Sequence, residues 1–400
     1  MRPLEGRRLW LVGIGGAGFA GYALLAHAWG AEVRGWDRVR TPYLPALEER
    51  GLELSIEPEP QPSPAGFETF VSTAYAGSVE GRSRAELLAE LVSLARSVVV
   101  SGAHGKTTTS AMIAFCLDRL GGDPSFLIGG EVPQLGGFAR AGSGWLVVEG
   151  DESDRTVAEL RPEIAVVTNI DLDHHASFAS RAEVEELFEE WLRNAPHAVR
   201  GWELAPLGVE LKVPGEHNRR NAAAALAALE LIGLEREAAI AALGQFGGVR
   251  RRLEYRGVAG GVEVYDDYGH NPAKVAAAIA AIAAIAATCG DGRVLVLFQP
   301  HLYSRTRYLA RELAEALAPA DAVAVTDVYG AREAPLPGVT GKLVVDALTE
   351  ACPGTAVAWT PEPEDGVRFL AARARSGDRV LVVGAGDVDN AVPLLLEELG

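Results

Sequence analysis

The chain has 400 residues, of which 48% are hydrophobic, and a formal net charge of −17 at pH 7. This length predicts two or three domains, and the negative charge argues against nucleic-acid binding, so an anionic ligand would need a local cluster of basic groups and amides. Its 3 cysteines lie far apart without CxxC spacing, which suggests neither a disulfide framework nor a zinc site and favours a cytoplasmic location.

No segment has both the length and the apolar character of a membrane span. The nearest, residues 275–288, is alanine-rich and too short, and it predicts a buried helix instead. The first residues lead directly into a predicted strand, so we expect neither a signal peptide nor membrane insertion.

A glycine-rich turn follows the first predicted strand, residues 8–12. The turn reads GIGGAG over 13–18, and a helix is predicted to about residue 29. This order is typical of a Rossmann-like unit, whose second strand ends here near Asp37, an acidic residue where a ribose commonly binds. Taken alone, the pattern also fits a turn that only packs a helix on a sheet. The first domain is predicted to end near residue 96.

A second glycine-rich loop, SGAHGKTTT at 101–109, lies between an apolar strand at 97–100 and a helix predicted over 110–120. Amides at such a helix start bind phosphate, Lys106 would reach the outer phosphates, and Thr107 would complete a magnesium shell. Only two residues separate the glycines, so the general four-residue Walker pattern is not met. The strand, loop and helix together still predict a nucleoside triphosphate site.

Polar segments follow two later predicted strands, 145–148 and 164–167. They read EGDESD and TNIDLDHH, and the carboxyl ends of parallel strands are where ligands bind. Glu149 and His174 are therefore candidate magnesium ligands beside the phosphate loop. The structural alternative is a solvated acidic loop with surface histidines.

These motifs occur in the order found in the Mur ligases, which the chain resembles over nearly its whole length. Further segments of the resemblance are GEHNRRNA at 215–222, FGGVRRRLE at 246–254, DDYGHNP at 266–272, FQPHLYSRTR at 298–307, DVY at 327–329 and GAGD at 384–387. They are similar to GxHNxxNA, FxGVxRRFE, DDYAHHP and FQPHRYTRTR of the branch of the family that joins L-alanine to UDP-N-acetylmuramate.

The resemblance implies an α/β protein of three domains. These are a Rossmann-like UDP-sugar-binding domain over 1–96, a shortened central P-loop ATPase domain over 97–246, and a Rossmann-like amino-acid-binding domain over 247–400. It also implies a reaction in which ATP and Mg²⁺ convert the lactyl carboxylate of UDP-N-acetylmuramate to an acyl phosphate, which the amine of L-alanine opens to an amide. We expect a monomer or weak homodimer.

The resemblance assigns site residues as well. The implied ATP site comprises Gly102, Ala103, His104, Gly105, Lys106, Thr107, Thr108, Asn218, Arg252 and Asp266. The implied UDP-sugar site comprises Gly13, Gly15, Gly16, Gly18, Asp37 and Ser72. The implied amino-acid site comprises Tyr268, His270, His301 and Arg305. Magnesium is assigned to Thr107, Glu149 and His174, and the catalytic set is Lys106, His174, His270, His301 and Arg305.

The chain departs from the family pattern in single residues and in length. Leu302 stands where arginine is usual, so a contact to an anionic group is lost or supplied by another residue such as Arg307. Asn271 replaces a histidine, and Ala176 replaces an aspartate near His174. Residues 191–215 and 74–95 are also compressed, which predicts retained ATP chemistry on a reduced scaffold.

Two other functions remain open from the sequence. A sister ligase that joins a preformed peptide to UDP-N-acetylmuramate would share the fold and the ATP residues, but the HLYSRT and DVYGAREAPLPG segments favour L-alanine. A non-catalytic nucleotide-dependent regulator would fit the trimmed scaffold. The intact Lys106, Thr107 and Glu149 argue against it.

Overall fold

The computed structural model describes residues 3–152, 155–171, 178, 180–288, 292–331 and 333–400. The chain divides into two units, the first formed by residues 1–212 and 217–249 and the second by 213–216 and 250–400. Each unit is built from parallel-rich sheets covered by helices, so the predicted α/β class is confirmed.

The first sheet is entirely parallel in its described part. Its strands are β1 (Arg8–Val12), β2 (Glu32–Asp37), β3 (Glu53–Ile56), β4 (Glu68–Val71) and β5 (Arg82–Ser83), in the order β3-β2-β1-β4-β5. The accompanying helices are α1 (Ala17–Ala28), α2 (Leu44–Glu48) and α3 (Arg84–Ser93). The turn between β1 and α1 is the predicted glycine turn, so the Rossmann-like start is confirmed.

The second sheet also lies in the first unit. Its strands are β6 (Ser97–Ser101), β7 (Ser125–Val132), β8 (Gly137–Arg140), β9 (Leu146–Glu149), β10 (Ile164–Val167) and β11 (His197–Arg200), in the order β11-β10-β6-β9-β7-β8. Its helices are α4 (Lys106–Arg119), α5 (Arg181–Arg193), α6 (Glu216–Ile232) and α7 (Arg236–Leu243). The neighbours β10, β6 and β9 are parallel and largely buried, as their continuous apolar runs require, so their polar ends meet at one edge.

The helix after the phosphate loop begins earlier than the sequence predicted. The apolar pattern indicated 110–120, whereas α4 spans Lys106–Arg119. The first turn is threonine-rich and lacks an apolar signal, yet Thr107 and Thr109 are buried in it. The hydroxyl-bearing residues of the motif are therefore helical.

The two sheets of the first unit share a hydrophobic core. Helix α1 packs against β7 and β8, and a Cβ added at Gly21 would lie 3.2 Å from Leu127 and 3.4 Å from Ala139. Tyr43 meets Phe138 edge-on, with ring centroids 5.3 Å apart. The predicted domain boundary near residue 96, which stays a prediction, falls between α3 and β6.

The second unit contains a third sheet. Its strands are β12 (Glu254–Ala259), β13 (Val262–Asp267), β14 (Val294–Phe298), β15 (Ala322–Val325), β16 (Ala356–Trp359) and β17 (Arg379–Val383), in the order β12-β13-β17-β14-β15-β16. Its helices are α8 (Pro272–Thr288), α9 (Tyr303–Leu317), α10 (Lys342–Ala351), α11 (Pro363–Ala371) and α12 (Val392–Leu399). In this sheet β12 is antiparallel to β13, and the other described pairs are parallel. Helix α8 contains the predicted helix at 275–288.

The described helices include none that is both long and apolar enough to cross a membrane.

Candidate active site

The loop between β6 and α4 needs glycine at two positions. Gly102 has φ +124° and Gly105 has φ +81°, both in the region that favours glycine. A Cβ at Gly102 would overlap the Thr168 hydroxyl, and one at Gly105 would overlap the side-chain oxygen of Asn221. The two glycines therefore let β10 and α6 approach the loop backbone.

The end of β10 fixes the shape of this loop. The His104 amide donates to Asn169 Oδ1 at 2.9 Å, and the His104 carbonyl accepts from Asn169 Nδ2 at 2.7 Å and Thr168 Oγ1 at 2.6 Å. Ala103 N also donates to the Asn169 carbonyl at 3.3 Å. Thr168 and Asn169 were not predicted as site residues, although both belong to the TNIDLDHH segment.

Lys106 has a carboxylate partner that the sequence did not assign. Its Nζ donates to Glu152 Oε2 at 2.8 Å and Oε1 at 3.0 Å, and to the Gly102 carbonyl at 2.6 Å. Glu152 is only 2% exposed. The ammonium group is therefore held across the loop by a buried counter-ion. The signal available in the sequence was the third acidic residue of EGDESD.

Thr107 and Glu149 bring two oxygen ligands together. Thr107 Oγ1 donates to Glu149 Oε2 at 3.0 Å, and the Gly129 amide donates to Glu149 Oε1 at 2.5 Å. A hydroxyl and a carboxylate beside a phosphate loop are the hard oxygen donors that Mg²⁺ takes together with phosphate and water. The pair thus fits magnesium, while the third assigned ligand, His174, lies with Ala176 outside the described residues.

Asn218, the assigned adenine-side residue, lies on the helix that contacts Gly105. Asn221 Nδ2 donates to Asn218 Oδ1 at 3.3 Å, and the two side chains are buried. One turn of α6 thus connects the nucleotide loop with the residue assigned to the base.

The Asp37 carboxylate accepts hydrogen bonds that hold the N-terminal glycine turn in place. The Gly15 amide donates to Asp37 Oδ2 at 2.9 Å, and Tyr75 Oη donates to Oδ1 at 3.3 Å. Gly13 has φ +87° and lies directly against Ser72. Asp37 is 3% exposed, so its carboxylate holds the turn together in this structure, and its assignment to a ribose stays a prediction.

The assigned amino-acid residues come together in the second unit, at the ends of β13 and β14. The ring centroids of Tyr268 and His270 lie 5.5 Å apart and those of His270 and His301 5.8 Å apart, and Arg305 Nη1 is 3.1 Å from His301 Nδ1. Tyr329 of the DVY segment stacks on His301 at 5.9 Å. This group also contains Arg252, whose guanidinium lies 5.3 Å from the Tyr268 ring centroid.

Burial keeps the two histidines of this cluster neutral. It lowers the pKa of His270 to about 3, with the positive charge of Lys274 acting in the same direction. Burial and the neighbouring Arg305 also lower the pKa of His301. Arg305 is thus the permanent cation among the residues assigned to the amino acid.

Asp266 is enclosed by arginines. Arg256 Nη1 lies 3.2 Å and Arg251 Nε 3.6 Å from Asp266 Oδ2, and the side chain is fully buried. Burial raises the pKa of Asp266 to about 7, against the effect of Arg251. Its carboxylate is turned toward these arginines and away from solvent, so its assignment to ATP stays a prediction.

Leu302 occupies a strained position immediately before α9. Its φ is +70°, which is unfavourable for a residue with a branched side chain, and its amide donates to the Tyr329 carbonyl at 2.9 Å. The turn that presents His301 and Arg305 is therefore fixed by backbone contacts despite the replacement of the usual arginine.

Two family models match the chain. Residues 100–200 match the Mur ligase middle domain, and residues 251–386 match the Mur ligase glutamate ligase domain. UDP-N-acetylmuramate–L-alanine ligase of Rubrobacter xylanophilus is 37% identical, with 97% of this chain and 99% of that protein covered. The protein of the same name from Renibacterium salmoninarum is 38% identical, with 98% and 96% covered. The first alignment extends over 445 positions, so that relative carries segments that these 400 residues lack.

Solved structures agree on the fold. A UDP-N-acetylmuramate-alanine ligase from Thermotoga maritima superposes with a TM-score of 0.78 at 24% identity and covers 98% of each chain. A murein peptide ligase from Psychrobacter arcticus has a TM-score of 0.65 at 22% identity and covers 99% of each.

Proposed function

The chain belongs to the Mur ligase family, and on that premise we propose that it joins L-alanine to the lactyl carboxyl of UDP-N-acetylmuramate with conversion of ATP to ADP and phosphate. The observation that carries the proposal is the grouping of Lys106, Thr107 and Glu149 at one strand edge. The near full-length similarity to L-alanine ligases supports the choice of amino acid.

In the first step, a lactyl carboxylate oxygen attacks the γ-phosphorus of ATP and ADP leaves, giving an acyl phosphate. Both reactants are anions, so the site must offset their repulsion. Lys106 would place its charge on the transferring phosphoryl group after phosphate replaces Glu152 as its partner. Thr107 and Glu149, with His174, would hold Mg²⁺, which supplies further charge neutralisation at the phosphate oxygens.

In the second step, the amine of L-alanine attacks the acyl carbon, phosphate leaves and the amine loses a proton. Arg305 would bind the α-carboxylate, because a guanidinium forms paired hydrogen bonds with a carboxylate. Because His270 and His301 are neutral, Arg305 provides the positive charge of this group. A cytoplasmic site of action is also proposed, because it is where ATP and nucleotide sugars are available.

The test is phosphate release by the purified protein with UDP-N-acetylmuramate, ATP and Mg²⁺. We expect release only after L-alanine is added, with the alanyl product identified by mass spectrometry. Release with a preformed peptide in place of L-alanine would instead identify the sister ligase. No release with any amino acid or short peptide would contradict a ligase function altogether.

A further inference from the structure

A cavity of about 240 Å³ lies within the first unit, between the N-terminal glycine helix and the phosphate loop. Its polar lining includes Arg84, Lys106, Glu149 and Asp151, and Gly18 also lines it. Its apolar lining includes Leu127, Ile128 and Phe138. The cavity therefore joins the candidate phosphoryl-transfer residues to the first sheet's helices, and Arg84 has no role in the site described so far.

Among the described residues, Arg84 has no carboxylate partner. It is the first residue of α3 and is half-buried, and no carboxylate of the described residues lies within ion-pair distance of it. The nearby Arg82 pairs with Glu86 at 3.1 Å and with Glu90. Because a positive charge at a helix N-terminus is opposed by the helix dipole, local stability does not account for Arg84.

Gly18 makes room for the Arg84 guanidinium. A Cβ added at Gly18 would overlap Arg84 Nη1, so the guanidinium occupies the space that the missing side chain leaves. The Tyr22 ring supports the same group, with its centroid 5.8 Å from Arg84 Cζ. The fourth glycine of GIGGAG thus positions a cation at the cavity wall.

We propose that Arg84 binds the lactyl carboxylate of the sugar substrate and holds it in this cavity, beside Lys106. The inference rests on the proposed function, which requires that carboxylate to meet the outer phosphate of ATP. A carboxylate in the cavity would supply the negative charge that Arg84 lacks. The apolar lining suits the lactyl methyl group. The substrate diphosphate would bind at the 13–16 turn, because the backbone amides at the start of α1 can bind phosphate.

The experiment compares two ligands by calorimetry without ATP. UDP-N-acetylmuramate carries the lactyl carboxylate, whereas UDP-N-acetylglucosamine keeps the diphosphate and sugar but lacks that group. Arg84→Gln should weaken binding of the first about ten- to a hundredfold, because a charge-assisted contact is lost, and should leave binding of the second within about twofold. Arg84→Lys keeps the positive charge, so it should weaken binding of UDP-N-acetylmuramate less than Arg84→Gln does.

A further variant separates binding from folding. Arg82→Gln, at the neighbouring paired arginine, should affect the two ligands alike. Arg84→Gln should not lower the melting temperature. An equal loss for both ligands, or none for either, would overturn the role of Arg84. Failure of the unaltered protein to bind UDP-N-acetylmuramate would instead contradict the proposed function.

Discussion

Glu152 and Lys106 form a two-point ion pair that closes over the phosphate loop, with Nζ 2.8 and 3.0 Å from the two carboxylate oxygens. The carboxylate is almost completely buried, whereas the lysine side chain keeps 20% of its surface exposed. A buried carboxylate is costly unless it is paired, so Glu152 depends on Lys106 more than Lys106 depends on Glu152. The lysine is thus pre-positioned by a partner that an incoming phosphate can replace.

Replacing Lys106 should therefore affect stability as well as activity. We expect Lys106→Ala to abolish ATP turnover and to destabilise the protein by about 3 kcal/mol, because the buried Glu152 carboxylate loses the ammonium group that offsets its charge. The double variant Lys106→Ala with Glu152→Gln should recover most of the stability and none of the turnover. Thermal unfolding and phosphate release measure the two effects. Full activity in Lys106→Ala would refute the loop assignment.

Glu149→Gln should raise the magnesium requirement. The carboxylate oxygen beside Thr107 becomes an uncharged amide, a weaker ligand for a hard cation, so the Mg²⁺ concentration for half-maximal activity should rise about tenfold or more. The control is Asp118→Asn on α4, the helix that carries Thr107; the Asp118 carboxylate pairs with Arg140 at 2.6 Å. An unchanged magnesium titration for Glu149→Gln would exclude it as a ligand.

Arg305→Ala should weaken the use of the amino acid selectively. Loss of a charged hydrogen-bonding partner for the α-carboxylate should increase the KM for L-alanine about ten- to a hundredfold, with little change in the KM for ATP. Arg311 is exposed on the same helix, and Arg311→Ala serves as the matched control. Steady-state kinetics with each substrate varied in turn measure the difference. Equal effects of the two substitutions would argue against a carboxylate contact.

Burial of His270 should make the protein less stable as the pH falls below about 6.5. The unfolded chain binds a proton near the ordinary histidine pKa, whereas the folded protein keeps His270 neutral down to about pH 3. Stability contributed by this neutral residue is thus present above pH 6.5 and is lost toward pH 3, by up to about 1.4 kcal/mol per pH unit. His270→Asn should flatten the dependence of melting temperature on pH between 4 and 6.5.

The exposed His197 provides the control for this measurement. His197→Asn should leave the slope of the wild-type curve unchanged. A slope that persists in His270→Asn would assign the acid sensitivity to other groups.

The sequence predicted the phosphate loop and the glycine turn because each consists of contiguous residues at a strand end. The second-unit cluster combines separate segments and was assigned from the resemblance to the Mur ligases. Parallel strands bring their carboxyl ends to one edge, so Lys106 and Glu149 were expected to meet although 43 positions separate them in the sequence. The start of α4 was misplaced because its first turn is polar. The local sequence pattern thus predicted the position of the phosphate loop better than the first residue of α4.

The amino-acid sequence by itself determined the family and its use of ATP, because motif order and residue type do not depend on packing. The site residues that the sequence assigns stay predictions. Only the tertiary structure decided which neighbours hold those residues. Lys106 forms an ion pair with Glu152, and the His104 backbone is hydrogen-bonded to Asn169. The Asp37 carboxylate accepts a hydrogen bond from the glycine turn of the first unit. Among the described residues, the tertiary structure also left Arg84 without a carboxylate partner at the wall of a cavity. The physical reason is that a charge or a hydrogen bond depends on distance in space, and a buried partner gives no periodic signal along the chain.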